Sequence, residues 1–136
     1  MTIMQAIVMK QAEVLQTLSR ILGAPVRVAT PDAIAAVREL IQWVQFEDWE
    51  SRSDMEIARL TGLLKVPFED PLLVITEAAW RAHQGGLLIR ASQLAGFIDQ
   101  HLRRHGECFF NGDVIVVETQ GRRIWIFHHE GCYALL

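Results

Sequence analysis

The sequence predicts an α+β fold: a mainly helical part over residues 1–106, with about five helices, then a C-terminal antiparallel β-hairpin or meander over 107–136, all in a single domain. Two observations predict this order. Apolar residues recur at spacings of three and four as far as Gly106, and beyond it the period falls to two. A third bears on size: with 136 residues, 51% of them hydrophobic, the chain can bury a core without help from a metal.

The first helix is expected over 3–22, where Met4, Ile7, Val8, Val14, Leu15, Leu18, Ile21 and Leu22 share a face and Gly23 with Pro25 supplies the stop. In "ATPDAIAAVRELIQWVQFEDWE", Thr30 is a natural N-cap with Pro31 at the first helical position, and Ile34, Val37, Leu40, Ile41 and Val44 form the buried stripe. "SDME" at 53–56 is a capping box opening a third helix. "PLLVITEAAWRAH" carries a conflict. Its "LLVIT" suits a strand by propensity, but Asp70–Pro71 and Gly85–Gly86 frame a helix over 71–83, and the helix is the expectation. "GLLIR" can add a short strand, after which Ser92 caps a helix over 92–105 that Gly106 ends.

Beyond Gly106, "DVIVVE" and "RRIWIFHH" flank "TQG", a hairpin pattern, and "CYALL" is expected to return as a third strand. Both faces of each hairpin strand are apolar, so each must be covered.

Net charge is −3, unevenly divided. Residues 1–80 hold seven basic and eleven acidic side chains, residues 81–136 hold six and five, and all five histidines lie in the second part. An acidic front opposes generalised nucleic-acid binding, which needs clustered Lys and Arg. No apolar run reaches the ~20 residues of a membrane-spanning helix, and the N-terminal stretch lacks a signal-peptide pattern, so no membrane partner is expected and the cytoplasm is the expected compartment. The two cysteines are then expected as free thiols.

The tail contains His-x-x-Cys twice, as His105/Cys108 and His129/Cys132. If Glu118 faces Arg122 across the turn, Asp113 falls opposite Phe127 and Cys108 near Cys132, with His105 and His129 at the same end. His105, Cys108, His129 and Cys132 are thus the candidate Zn²⁺ ligands, with His101 as an alternate, or the two thiols form a bridge. Against a metal, neither arm is Cys-x-x-Cys, and unlinked side chains are the default expectation. His128 and His129, neighbours on a strand, are expected to point to opposite faces.

Three function classes follow. The first is a non-enzymatic protein-interaction module, a regulatory, inhibitory or accessory factor, with the aromatic–acidic segment Trp43, Phe46, Glu47, Asp48 and Trp49 as its partner-binding patch. One hairpin face left open would pair with a second copy or a partner. The second rests on a resemblance of element order, helix–strand–wing–strand, to winged-helix DNA-binding proteins. That resemblance covers the last third of the chain and implies phosphate contacts from Arg90, Arg103, Arg104, Arg122 and Arg123. The third is a zinc- or thiol-dependent enzyme using Cys132 beside a histidine. No phosphate loop, nucleophile elbow or His-Glu-x-x-His helix supports catalysis, and no cofactor is expected.

Overall fold

The computed structural model describes residues 7–38 and 40–136. Among them the chain forms, in order, β1 (Ile7–Met9), α1 (Gln11–Leu22), α2 (Pro31–Val37), β2 (Val44–Gln45), α3 (Asp54–Leu60), β3 (Leu72–Thr76), α4 (Glu77–Arg81), β4 (Gly86–Ile89), α5 (Leu94–His105), β5 (Val114–Glu118), β6 (Ile124–His128) and β7 (Cys132–Leu135). The strands make one antiparallel sheet in the order β1-β4-β3-β5-β6-β7-β2. This corrects the expected division into a helical part and a C-terminal meander. Four strands precede residue 107, helices and strands interleave, and the hairpin lies inside the sheet instead of projecting as a wing.

The physical reason lies in β5 and β6. Every residue of both strands is buried, so each needs a hydrogen-bonded neighbour on either side as well as cover on either face. Residues 107–136 cannot supply all of that. Strand β3 pairs with β5 along its whole length, and the β-branched run Val74, Ile75, Thr76 fits that central position. The conflict in "LLVITEAAW" therefore resolves into both structures in succession: Thr76 ends the strand, and its hydroxyl caps α4 by accepting from the Ala79 amide at 3.3 Å.

Alternation along the strands sends side chains into two cores. Leu72, Val74, Val114, Val116, Trp125 and Phe127 meet Ile57 and Ala58 of α3 and Leu94, Phe97 and Ile98 of α5. Leu73, Ile75, Ile115, Val117, Ile124 and Ile126 meet Val14 and Leu18 of α1 and Ile34 of α2 on the opposite face. Both faces of the hairpin are thus covered by the chain's own helices. The open face expected to receive a second copy is absent from the described residues.

Two further differences follow from the edges. Residues 7–9, expected within the first helix, instead pair with β4, and the helix begins at Gln11; residues 3–6 of that expected helix lie outside the described residues. Gly85 permits this approach, since its φ is +75° and a Cβ there would collide with the Met9 carbonyl. The second helix stops at Val37 instead of running to the tryptophans. Trp43 packs with the α1/α2 core and Trp49 with the α3/α5 core. Only a chain that wraps around the sheet edge can send them to opposite faces; a helix would align residues 43, 46 and 49 on one side.

The sheet has two dissimilar ends. The β5–β6 loop holds residues 119–122, because Glu118 pairs with Arg123 and not Arg122. The reason is the Glu118 carboxylate, 2% exposed, which accepts from the amides of Glu69 (2.6 Å), Arg123 (2.8 Å) and Arg122 (3.3 Å) and from Arg123 Nη1 (3.1 Å). Burial pushes this carboxyl up, but the N–H donors prevail and hold it below its ordinary range. Gly121 leaves room for it, since a Cβ there would lie 2.5 Å from Glu118 Oε1.

Candidate functional site at the histidine-rich end of the sheet

At the other end, β1, β3, β6 and β2 finish while β4, β5 and β7 begin. Helix α5 carries the chain from the end of β4 back to the start of β5, spanning about 18 Å. His83 lies in the loop before β4, His101 and His105 in the last turns of α5, and His128 and His129 where β6 ends. The topology thus collects all five histidines at one end. This end carries three adjoining features, the first two of them lined by histidines.

The first is a cluster on the α1/α2 face. The one-residue change in hairpin register sets Asp113 beside His128 instead of Phe127. His128 Nε2 lies 3.1 Å from Asp32 Oδ1 at the start of α2, and its Nδ1 accepts from the Glu130 amide at 3.1 Å. The Asp113 carboxylate, 12% exposed, accepts from the His129 amide at 2.8 Å and lies 2.9 Å from His129 Nδ1. The hydrogen bond to Asp113 raises the His129 pKa above its ordinary value, against the opposing effect of burial. His129 already belongs to the β6–β7 turn, so the rings of His128 and His129 stack at 4.2 Å instead of diverging. Strand alternation stops with the strand.

The second is a cavity of about 730 Å³ on the α5 face, walled by α4, the 82–87 segment and α5. His101, 7% exposed, lines it and holds Nδ1 2.9 Å from the Glu107 carbonyl. A carbonyl only accepts, so Nδ1 donates its proton to it, and Nε2 is left without a protein partner among the described residues. His105 stacks on it at 4.6 Å. Burial, followed by the charges of His101 and Arg104, pushes His105 below its ordinary pKa.

The third is a groove of about 550 Å³ along residues 45–51 and the turn at Glu130–Gly131. Its wall includes Glu47, Asp48, Glu50 and Glu130, all exposed, and among the described residues no basic side chain. Beside it β2 pairs, among the described residues, with β7 on one side only, at the end of the sheet.

Of the segment expected to bind a partner, Glu47 and Asp48 face solvent, whereas Trp43, Phe46 and Trp49 are half-buried. Trp43 meets His128 edge-on at 6.1 Å and Trp49 meets Phe127 at 5.3 Å, so the indoles anchor the segment and the carboxylates are what it presents. The expected metal quartet does not converge. His105 lies against His101 on the α5 face, and Cys132 sits across from His128 on the other. Cys108 is exposed, and both thiols are unbridged. Burial, aided by Asp54 at Cys108 and by Glu130, Asp32 and Asp113 at Cys132, raises both thiols above their ordinary pKa, the reverse of what a nucleophile needs. The expected phosphate-binding arginines divide as well. Arg103 and Arg104 stand at the histidine end, whereas Arg90, Arg122 and Arg123 stand at the Glu118 end, where Arg123 is engaged by Glu118 and by the Pro67 carbonyl at 3.0 Å.

Sequence reasoning passed over Asp32, Asp113 and His128. Placing Glu118 opposite Arg123 would have found the last two, and the signal for it was a carboxylate entering a loop rich in backbone donors. Comparison with protein-family models, curated proteins and solved structures finds no match for this chain. Among the described residues, no helix is long and apolar enough to cross a membrane.

Proposed function

We propose that this protein is a non-enzymatic protein-interaction module that holds a basic segment of its partner in the groove at residues 45–51 and 130–131. The observation that carries this reading is the groove's charge: four exposed carboxylates and, among the described residues, no cation in its wall. Such a surface attracts Lys- and Arg-rich chain and repels acidic chain. The free edge of β2 adds main-chain donors and acceptors beside the groove, the means by which an extended segment joins a sheet. The raised thiol pKa values support a binding role over thiol catalysis. The unbridged cysteines support a reducing compartment, and we assign the protein to the cytoplasm.

The test uses an Arg/Lys-rich decapeptide as probe and the tryptophan fluorescence of the protein, to which Trp49, its indole against Gly131, contributes beside Trp43, Trp80 and Trp125. At low salt the basic peptide binds, binding weakens as salt rises, and an acidic peptide of equal length does not bind. Glu47→Lys combined with Glu50→Lys and Glu130→Lys, all at exposed positions, abolishes binding with the fold intact. Equal binding by the charge-reversed protein, or none by the parent, overturns the reading.

A second reading, as a small-molecule carrier, is favoured by the α5-side cavity. Its volume lies in the range of ligand sites, and His101 offers one oriented polar group among the apolar walls of Val74, Leu87 and Phe97.

A further inference from the structure

We propose that Asp113, His128 and His129 form a binding site for a divalent cation of the zinc class, a function separate from partner binding. One ligand atom from each of the three lies within 4.8 Å of the other two, and no other such group of three or more His, Cys, Asp or Glu occurs among the described residues. Two imidazoles and a carboxylate suit zinc and its first-row neighbours, which favour nitrogen donors, over calcium or magnesium, which favour oxygen alone.

The surroundings add to the donor set. The Asp32 carboxylate holds Nε2 of His128 at 3.1 Å. That carboxylate–imidazole contact fixes the ring and leaves Nδ1, now accepting from the Glu130 amide, as the nitrogen for the cation. The His128 and Asp113 side chains are 9% and 12% exposed, so both donors are held by packing, while His129 at 50% keeps the site open to solvent. Carboxylates exceed cations: Glu77 and Glu130 act on His129 in addition to Asp113, and Arg81 pairs with Glu77 at 3.4 Å. A divalent ion would balance this excess. On binding, the cation displaces the proton that His129 Nδ1 shares with Asp113, and that proton leaves to solvent. His128 Nδ1 exchanges the Glu130 N–H for the metal, that amide turns to water, and Asp113 and His129 turn to the metal. Three protein ligands leave a fourth position to water. Cys132, across the strand pair from His128 and on the same face, stands nearby as a reserve donor.

The experiment titrates tag-free, chelator-treated protein with Zn²⁺ against a competing chromophoric indicator, with a thermal melt as second readout. The parent takes up one equivalent and melts at a higher temperature in its presence. His129→Ala, at a half-exposed turn position, folds as the parent does and loses at least about tenfold in affinity. Asp113→Asn loses a comparable factor. His105→Ala and Cys108→Ser leave affinity and stoichiometry unchanged. Failure of the parent to bind one equivalent overturns the proposal. So does parent-like affinity in His129→Ala, or loss of binding in His105→Ala or Cys108→Ser. Charge reversal at Glu47 and Glu50 leaves zinc uptake intact, so failure of the peptide-binding reading and failure of this one are distinguishable.

Discussion

The two ends of the sheet treat their charged residues in opposite ways. At the Glu118 end one buried carboxylate is met by three amides and a guanidinium, and the arrangement ties the 69 region to the β5–β6 loop. At the other end imidazoles and carboxylates share single bonds, several in partial contact with water, and acidic groups remain without cations. A saturated polar site fixes a loop; an unsaturated one can exchange a proton, an ion or a partner. On the proposed reading, one end serves structure and the other serves binding.

The strongest way to break the comparison is Glu118→Ala. It leaves the amides of Glu69, Arg122 and Arg123 short of an acceptor and should cost about 3–5 kcal/mol in urea unfolding. A loss under about 1 kcal/mol would show that this end is not the structural one. Next in size is Gly131→Ala. At φ +89° any side chain is strained, and the new Cβ would sit 2.5 Å from Trp49 Cδ1. About 1–3 kcal/mol of destabilisation is expected, together with a red shift of tryptophan emission as the indole loses its seat. Unshifted emission would remove Trp49 from the groove wall.

A pH titration sharpens the same contrast. Because the folded state holds the Glu118 carboxyl below its ordinary value of 4.5, the unfolded chain takes up that proton first as acid is added. The stabilisation is therefore present above pH about 4.5 and is lost as pH falls through the lower folded value. Glu118→Gln should flatten the acid limb of stability, and an unaltered limb would count against the assignment. The smallest effect belongs to the opposite end. His129→Ala removes a half-exposed pair and should cost under about 1 kcal/mol without metal, measured by the same unfolding curve.

How much of this was legible in the sequence depended on whether local chemistry or tertiary pairing decided each element. Thr30, Ser53, Gly23 and Gly106 cap or end helices where their own side chains or backbone freedom require it, so these boundaries could be read directly. The 72–76 strand could not, because its framing residues suggest a helix while its place between β4 and β5 is a long-range fact. The tryptophans show the same limit. Their spacing of six suits one helix face, but a sheet edge between them sends each to a different core. At the candidate site, the sequence located His129, set Asp113 one residue off in register, and set His128 on the opposite face by a strand alternation that ends before His129. The register is set by the Glu118 oxygens, which find their amide donors in Arg122 and Arg123 and so draw Arg123 opposite Glu118.

The most direct measurement of the account is a pair of amide ¹H–¹⁵N spectra of the whole chain, without and with the Arg/Lys-rich decapeptide at low salt. The account predicts that the amides of residues 45–51 and 130–131 shift, while those of 67–71 and 118–123 stay in place. Shifts gathered at the Glu118 end, or spectra that do not change, would contradict it.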